Sequence, residues 1–222
     1  MNPQNFPAYF FVGAIIFVGA ILYYAYLTAK KRREALLAVS RQIGFQYLES
    51  DPGTFFAQLA PFQLATFGKA YSRKLFNILK GRISEGELIL ADYRYTSGSG
   101  KNKHTRNQTI MLLQSDKLSL PQFELRPENF FDKLADTFGF KDIDLPQHPE
   151  FSKTFLIKGA EQQHVQALFS PTVITYLMQN RDLHIEGSGN QLLIYRYNRI
   201  TPAEQVSRRR EEASQIARLF MR

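Results

Sequence analysis

The sequence contains no cysteine and no tryptophan. Without cysteine there is no disulfide, no thiolate zinc site and no thiol nucleophile. Without tryptophan, any aromatic belt at a membrane interface falls to tyrosine. A third absence is local: residues 1–29 carry no charged side chain. Catalytic signatures are missing as well, since the chain has no GxSxG, no HExxH and no GxGxxG. Ser97-Gly98-Ser99-Gly100-Lys101 has the look of a phosphate-binding loop but not its spacing. Tyr95 stands where the first glycine belongs, and Asn102 stands where a Ser or Thr must bind magnesium.

What is present is hydrophobic and basic. Apolar residues make up 44% of the 222, with 19 Phe and 11 Tyr, enough for a packed core. The formal charge is +8, from 28 basic and 20 acidic residues. Four of the basic residues are Lys30, Lys31, Arg32 and Arg33, so half of the excess sits in one run. A surface built to neutralise phosphates needs a concentrated patch elsewhere, so nucleic acid is not an expected partner.

From Ala8 to Leu27 the chain is apolar except for the phenols of Tyr9, Tyr23, Tyr24 and Tyr26. A helix of about 20 residues spans roughly 30 Å, the thickness of the hydrocarbon core of a bilayer. It satisfies its own backbone hydrogen bonds, as lipid demands. The tyrosines stand at both ends, where amphipathic rings favour the headgroup layer. Lys30–Arg33 follow directly, and the preceding tail has no basic side chain. The positive-inside rule then predicts a single-pass anchor over about residues 8–28, N-terminus outside. A cleaved signal peptide would put its basic residues before a shorter apolar core. Gly13 and Gly19 are not at four-residue spacing, so no glycine-based dimer motif is present.

Beyond the anchor the pattern is mixed. Residues 30–43 read as a basic juxtamembrane helix with Gly44 as its stop. Asp51-Pro52 reads as a cap opening a short helix through Leu59. Segments 87–96 and 106–115 flank a Gly/Ser loop and predict a hairpin. On the first of them, Leu88, Leu90 and Asp92 share one face, and Ile89, Ala91 and Tyr93 the other. Residues 120–128 read as an edge strand ended by Pro127, and 129–139 as a helix. A proline-punctuated connector at 142–150 suggests two subdomains divided near 140–150. Then come a strand (153–159), two short helices broken at Pro171, and a second hairpin (183–197). Thr201-Pro202-Ala203-Glu204 has the form of a capping box. The helix after it would bury Val206, Ala213, Ile216, Ala217 and Phe220. The expected fold class is α+β: an N-terminal transmembrane helix, then a cytoplasmic domain, 44–222, of antiparallel hairpins packed with short helices.

Two clusters invite chemistry. Asp142, Asp144, His148 and Glu150 offer oxygen and imidazole donors within nine residues, but their spacing matches no metal signature. Lys101, Lys103, His104 and Arg106 crowd the first hairpin tip, which a solvated turn explains. No catalytic residue, metal or cofactor is expected. Lys30, Lys31, Arg32 and Arg33 are the candidate contacts for lipid headgroups, a role compatible with setting topology.

The runs GELILADYRYTSGSGK, Gln108-Thr109, LPQFELRPE, DIDLPQHPEFS and QALFSP together resemble an uncharacterised family of bacterial single-pass membrane-anchored proteins. The resemblance covers roughly residues 70–200. It implies a setting at the bacterial inner membrane and implies no activity. The sequence therefore points to a non-enzymatic interaction or scaffolding module at the cytoplasmic membrane surface, with the lipid bilayer and a protein as partners. An anionic-lipid-sensing domain and a membrane-tethered hydrolase are the alternatives.

Overall fold

The computed structural model describes residues 8–66, 72–128 and 140–221. The expected helix at 129–139 and the N-terminal tail lie outside the described residues. The fold is α+β, as the patterning predicts, with an N-terminal apolar helix and one antiparallel sheet carrying short helices.

Helix α1 (Ala8–Ile43) is continuous over 36 residues, so the apolar segment and the basic juxtamembrane segment are one rod. It holds an 18-residue window of mean hydropathy 2.1, none of it buried in the protein, which is long and apolar enough to cross a membrane. It stops at Gly44, whose φ of +72° suits a residue without a Cβ. The Phe45 N–H then donates to the Ser40 carbonyl at 2.8 Å, closing the helix end.

Nine strands follow among the described residues. They are β1 (Gln46–Ser50), β2 (Lys74–Ile83), β3 (Gly86–Ser97), β4 (His104–Gln114), β5 (Leu120–Pro127), β6 (Lys141–Asp142), β7 (Phe155–Gly159), β8 (His184–Gly189) and β9 (Gln191–Tyr195). Their order across the sheet is β1-β2-β3-β4-β9-β8-β5-β7-β6, and every pairing is antiparallel. Strands from before and after residues 142–150 thus belong to one sheet.

Helices α2 (Thr54–Gln58), α3 (Pro149–Ser152), α4 (Gln162–Gln166), α5 (Pro171–Gln179) and α6 (Val206–Phe220) divide unequally over its faces. On one face, Leu88, Leu90, Met111, Phe123, Ile157, Ile185 and Ile194 pack under α3–α6 and the C-terminal part of α1. There α6 buries Val206, Ala213, Ile216, Ala217 and Phe220, the stripe its period predicts. Leu36 of α1 is buried beside them, with Val39 and Ile43 packed on. Each fully buried Val, Leu, Ile or Phe among them contributes roughly 1.5–3 kcal/mol. On the opposite face, Ile89, Ala91, Tyr93, Ile110, Leu112 and Leu193 pack under α2 and the turn after it, through Phe55, Leu59, Phe62 and Leu64.

Three local expectations change. Strand β5 is interior, between β8 and β7, rather than an edge. Its prolines are accommodated because Pro121 falls in the register shift between Leu120 and Phe123, and Pro127 is the last paired residue. Strand β1 was not anticipated, since its five residues are mostly polar and it lies at the sheet edge. The capping box at Thr201 does not form: a turn of 3-10 helix begins at Ala203 without a side-chain cap. Asp51 does cap a helix, its carboxylate accepting from the Phe55 and Phe56 N–H groups at 3.1 and 2.8 Å, although α2 starts only at Thr54.

Candidate functional site

Alternation along β3 turns Asp92 to the same face as Leu88 and Leu90, and its side chain is 2% exposed. A carboxylate placed there needs a complete set of donors. Arg32 of α1, one helical turn before buried Leu36, supplies two. Its Nε donates to Oδ2 at 2.8 Å and its Nη2 to Oδ1 at 2.7 Å, a bidentate pair. The Asn77 amide donates to Oδ2 at 2.9 Å and the Thr109 hydroxyl to Oδ1 at 3.0 Å.

The network extends outwards from there. The Tyr47 hydroxyl donates to the Asn77 side-chain oxygen at 2.8 Å. The Thr201 N–H donates to Thr109 Oγ1 at 2.8 Å, while Arg32 Nη1 donates to the Thr201 carbonyl at 2.9 Å. One carboxylate therefore ties α1, strands β1 to β4 and the connection into α6. The engagement of the Thr201 backbone is why that segment enters α6 without its predicted cap. Asn77 reaches the site through a register shift between Phe76 and Leu79, and it holds a φ of +50°. Such a bulge re-aims a side chain that regular alternation would send elsewhere.

Beyond this clamp, towards the apolar half of α1, helix and sheet enclose a crevice of about 860 Å³. Tyr24, Ala25, Thr28 and Ala29 line its helix side, and Phe76, Arg94, Asn107 and Ile200 its sheet side. Lys30, Arg32, Arg33 and Arg94 bring four positive charges to the lining, against Glu49 and Asp92. The Arg94 guanidinium lies 5.2 Å from the Phe76 ring centre, and Arg33 pairs with Glu49 at 2.7 Å.

The four basic residues singled out in the sequence fan around α1. Lys30 and Lys31 are exposed, while Arg32 and Arg33 are half-buried. Lys30, Arg32 and Arg33 line the crevice, but the guanidinium of Arg32 is committed to Asp92. Sequence reading placed Asp92 on the apolar face without seeing its role, and it missed Asn77 and Thr109. The available signal was the charge itself, set in a strand between buried leucines.

The cluster Asp142, Asp144, His148 and Glu150 does not assemble. Asp142 pairs with Lys158 at 3.3 Å and Glu150 with Lys153 at 2.9 Å. Among the described residues, no group of three or more His, Asp or Glu is placed to hold a metal ion. The opposite sheet face has a polar row instead. Glu186, Glu124, Lys158 and Asp142 stand in register across β8, β5, β7 and β6. Glu186 is buried and accepts from the Gln63 N–H, from the Leu64 N–H at 3.1 Å and from the Tyr195 hydroxyl at 3.0 Å. Burial, then neighbouring Glu124, pushes its carboxyl well above the usual range, against the pull of those donors. Two residues earlier, buried His184 stacks on Tyr195 with ring centres 4.8 Å apart. Burial, then Arg126, lowers its pKa to about 3.

No family model matches the chain, and no curated protein matches it. A solved structure does: the crystal structure of the mycobacterial trehalose monomycolate transport factor A, TtfA. The TM-score is 0.56 at 11% identity, over 86% of this chain and 92% of that one. At that identity the likeness is one of fold.

Proposed function

We propose that this chain is a non-enzymatic interaction module of the bacterial inner membrane, anchored once, with its folded domain on the cytoplasmic side. The observation that carries this reading is the Arg32–Asp92 pair on an unbroken α1. A catalytic domain on a tether needs only proximity to the bilayer. Here anchor and sheet form one body, so the domain keeps a fixed height and presents one set of surfaces to the leaflet and to a protein partner. The absence of charge before Lys30 and the run of four basic residues after it support the orientation. The mycobacterial protein of similar fold is named for transport rather than for a reaction, which accords with a non-catalytic role.

The test uses the lack of cysteine. Single cysteines at Ser99 and Lys141 should resist a membrane-impermeant maleimide in intact cells and react after permeabilisation; reaction in intact cells overturns the orientation. Photo-crosslinkers at exposed domain positions in native membranes should give discrete protein adducts. A glycine-serine insertion between Ala29 and Lys30 should abolish them. Adducts that survive the insertion unchanged, or a complete lack of adducts, overturn a module that depends on its fixed pose.

A further inference from the structure

The crevice between α1 and the sheet is made of two zones. Its helix wall nearest the apolar span is Tyr24, Ala25 and Thr28, and Phe76 and Ile200 add hydrocarbon on the sheet side. Lys30 and Arg33 follow along the helix, away from the span, and Arg94 joins the lining from the sheet side, its guanidinium over the Phe76 ring. Arg32 and Asp92 neutralise one another, and Arg33 has only an exposed partner in Glu49, an arrangement that water largely screens. The lining as a whole carries four cations against two anions, a surplus of two. Ala25 and Ala29 lie four residues apart and so on one face of the helix, where their small side chains leave the space between helix and sheet unfilled.

On the orientation proposed above, this order of zones matches a lipid of the cytoplasmic leaflet. Its chains point up along the apolar span, and its headgroup points down into the cations. A volume of about 860 Å³ falls in the range of small-ligand sites. A soluble anion would satisfy the cations but leave the Tyr24, Ala25 and Phe76 side facing water. A zwitterionic lipid would bring an ammonium to a rim that already has surplus positive charge.

We propose that this crevice is a binding site for one anionic phospholipid of the cytoplasmic leaflet, its phosphate held by Lys30, Arg33 and Arg94 and its chains lying along Tyr24, Ala25 and Thr28. The proposal rests on the membrane orientation argued under the proposed function and adds the ligand class. Arg32 is then a positioning residue: its bond to Asp92 holds the crevice walls in place, and its charge is not available to the lipid.

The test uses the absence of tryptophan. Phe76→Trp in the full chain puts a single indole in the crevice wall and keeps an aromatic ring beneath Arg94. The protein is reconstituted in phosphatidylcholine vesicles containing a minor fraction of either brominated phosphatidylglycerol or brominated phosphatidylcholine. Bromine on the chains quenches an indole in contact with them. Phosphatidylglycerol should quench at a mole fraction lower by up to about a hundredfold, about fivefold for each of the basic groups engaged. Lys30→Gln, Arg33→Gln and Arg94→Gln together should bring the two lipids to parity by removing the cations. Ala29→Phe should do so with the charge intact, by filling the space. Equal quenching by both lipids in the parent Phe76→Trp protein overturns the proposal. So does a preference that survives Ala29→Phe, because it would report lipid gathered around the basic run and not seated in the crevice. Far-ultraviolet dichroism of each variant confirms that the comparison is between folded proteins. A failure here with crosslinked adducts retained would remove the lipid site and leave the interaction module; loss of the adducts with quenching retained would do the reverse.

Discussion

Arg32 and Asp92, 60 residues apart in sequence, meet in two hydrogen bonds of 2.8 and 2.7 Å that lock the long helix to the third strand of the sheet. The Asp92 side chain is almost wholly buried and the Arg32 side chain is 22% exposed. Removing one partner of such a pair strands the other, at a cost of about 3 kcal/mol or more. Asp92→Leu and Arg32→Leu should each lower the thermal midpoint of the full chain in detergent by many degrees. The double variant should be less damaged than the sum of the two, because no unpaired charge remains. Arg32→Lys should recover only part of the loss, since an ammonium cannot make the bidentate pair and also reach the Thr201 carbonyl. Additive single and double effects would mean that the two residues act independently.

Asn77 gives a finer test of the same site. It combines a φ of +50° with a 2.9 Å hydrogen bond to Asp92. Asn77→Gly keeps the backbone at ease and loses the bond. Asn77→Ala loses the bond and must hold a Cβ in the left-handed region, a further cost of about 1 kcal/mol. The glycine variant should therefore be the more stable of the two in denaturant titration. The reverse order would mean that the bulge relaxes to ordinary strand geometry without its amide anchor.

These two residues mark the limit of what the sequence discloses. Periodicity is local, so the buried stripe of α6 and the two faces of β3 are legible from the order of the residues. The Arg32–Asp92 pair is not, because nothing in a sequence brings positions 32 and 92 together until β3 has found its place in the sheet. Arg32 was hidden further by its neighbours: within Lys30–Arg33 it reads as one topology signal among four. Strand β5 misled for a similar reason. Pro121 and Pro127 exclude a regular interior strand, but not one with a register shift at the first and its end at the second. The capping residues at 201–204 obey a local rule that a tertiary contact overrides, since the Thr201 backbone is held by Thr109 and Arg32.

Glu186 makes the domain sensitive to base. Its carboxyl is held above the ordinary 4.5 by burial and by Glu124. Between that value and the raised native one, the folded state keeps a proton that the unfolded chain has released. Stability from this group is full below about pH 4.5 and is lost as pH rises through the native pKa, at up to about 1.4 kcal/mol per pH unit. Glu186→Gln keeps an oxygen for the Gln63 and Leu64 N–H groups and cannot ionise. It should flatten the alkaline side of the stability profile measured by chemical denaturation. An unchanged slope would place the titration elsewhere.

His184, two residues away on β8, works in the opposite direction, and the pair together set the shape of the curve. Its native pKa of about 3 lies below the ordinary 6.5. The unfolded chain takes up a proton first, so this contribution is full above pH 6.5 and is lost as pH falls towards 3. Between about pH 4.5 and 6.5 the two slopes oppose, because the folded state holds an extra proton at Glu186 and lacks one at His184. Their joint contribution should be nearly level there, falling on the acid side through His184 and on the alkaline side through Glu186. His184→Phe preserves an aromatic ring against Tyr195, whose ring centre is 4.8 Å away in the parent, and should remove the acid limb alone. The difference between parent and His184→Phe stability, plotted against pH, should therefore rise from pH 3 to 6.5 and level off above it. A difference that stays flat from pH 3 to 6.5 would show that the ring titrates at an ordinary value and is not buried as described.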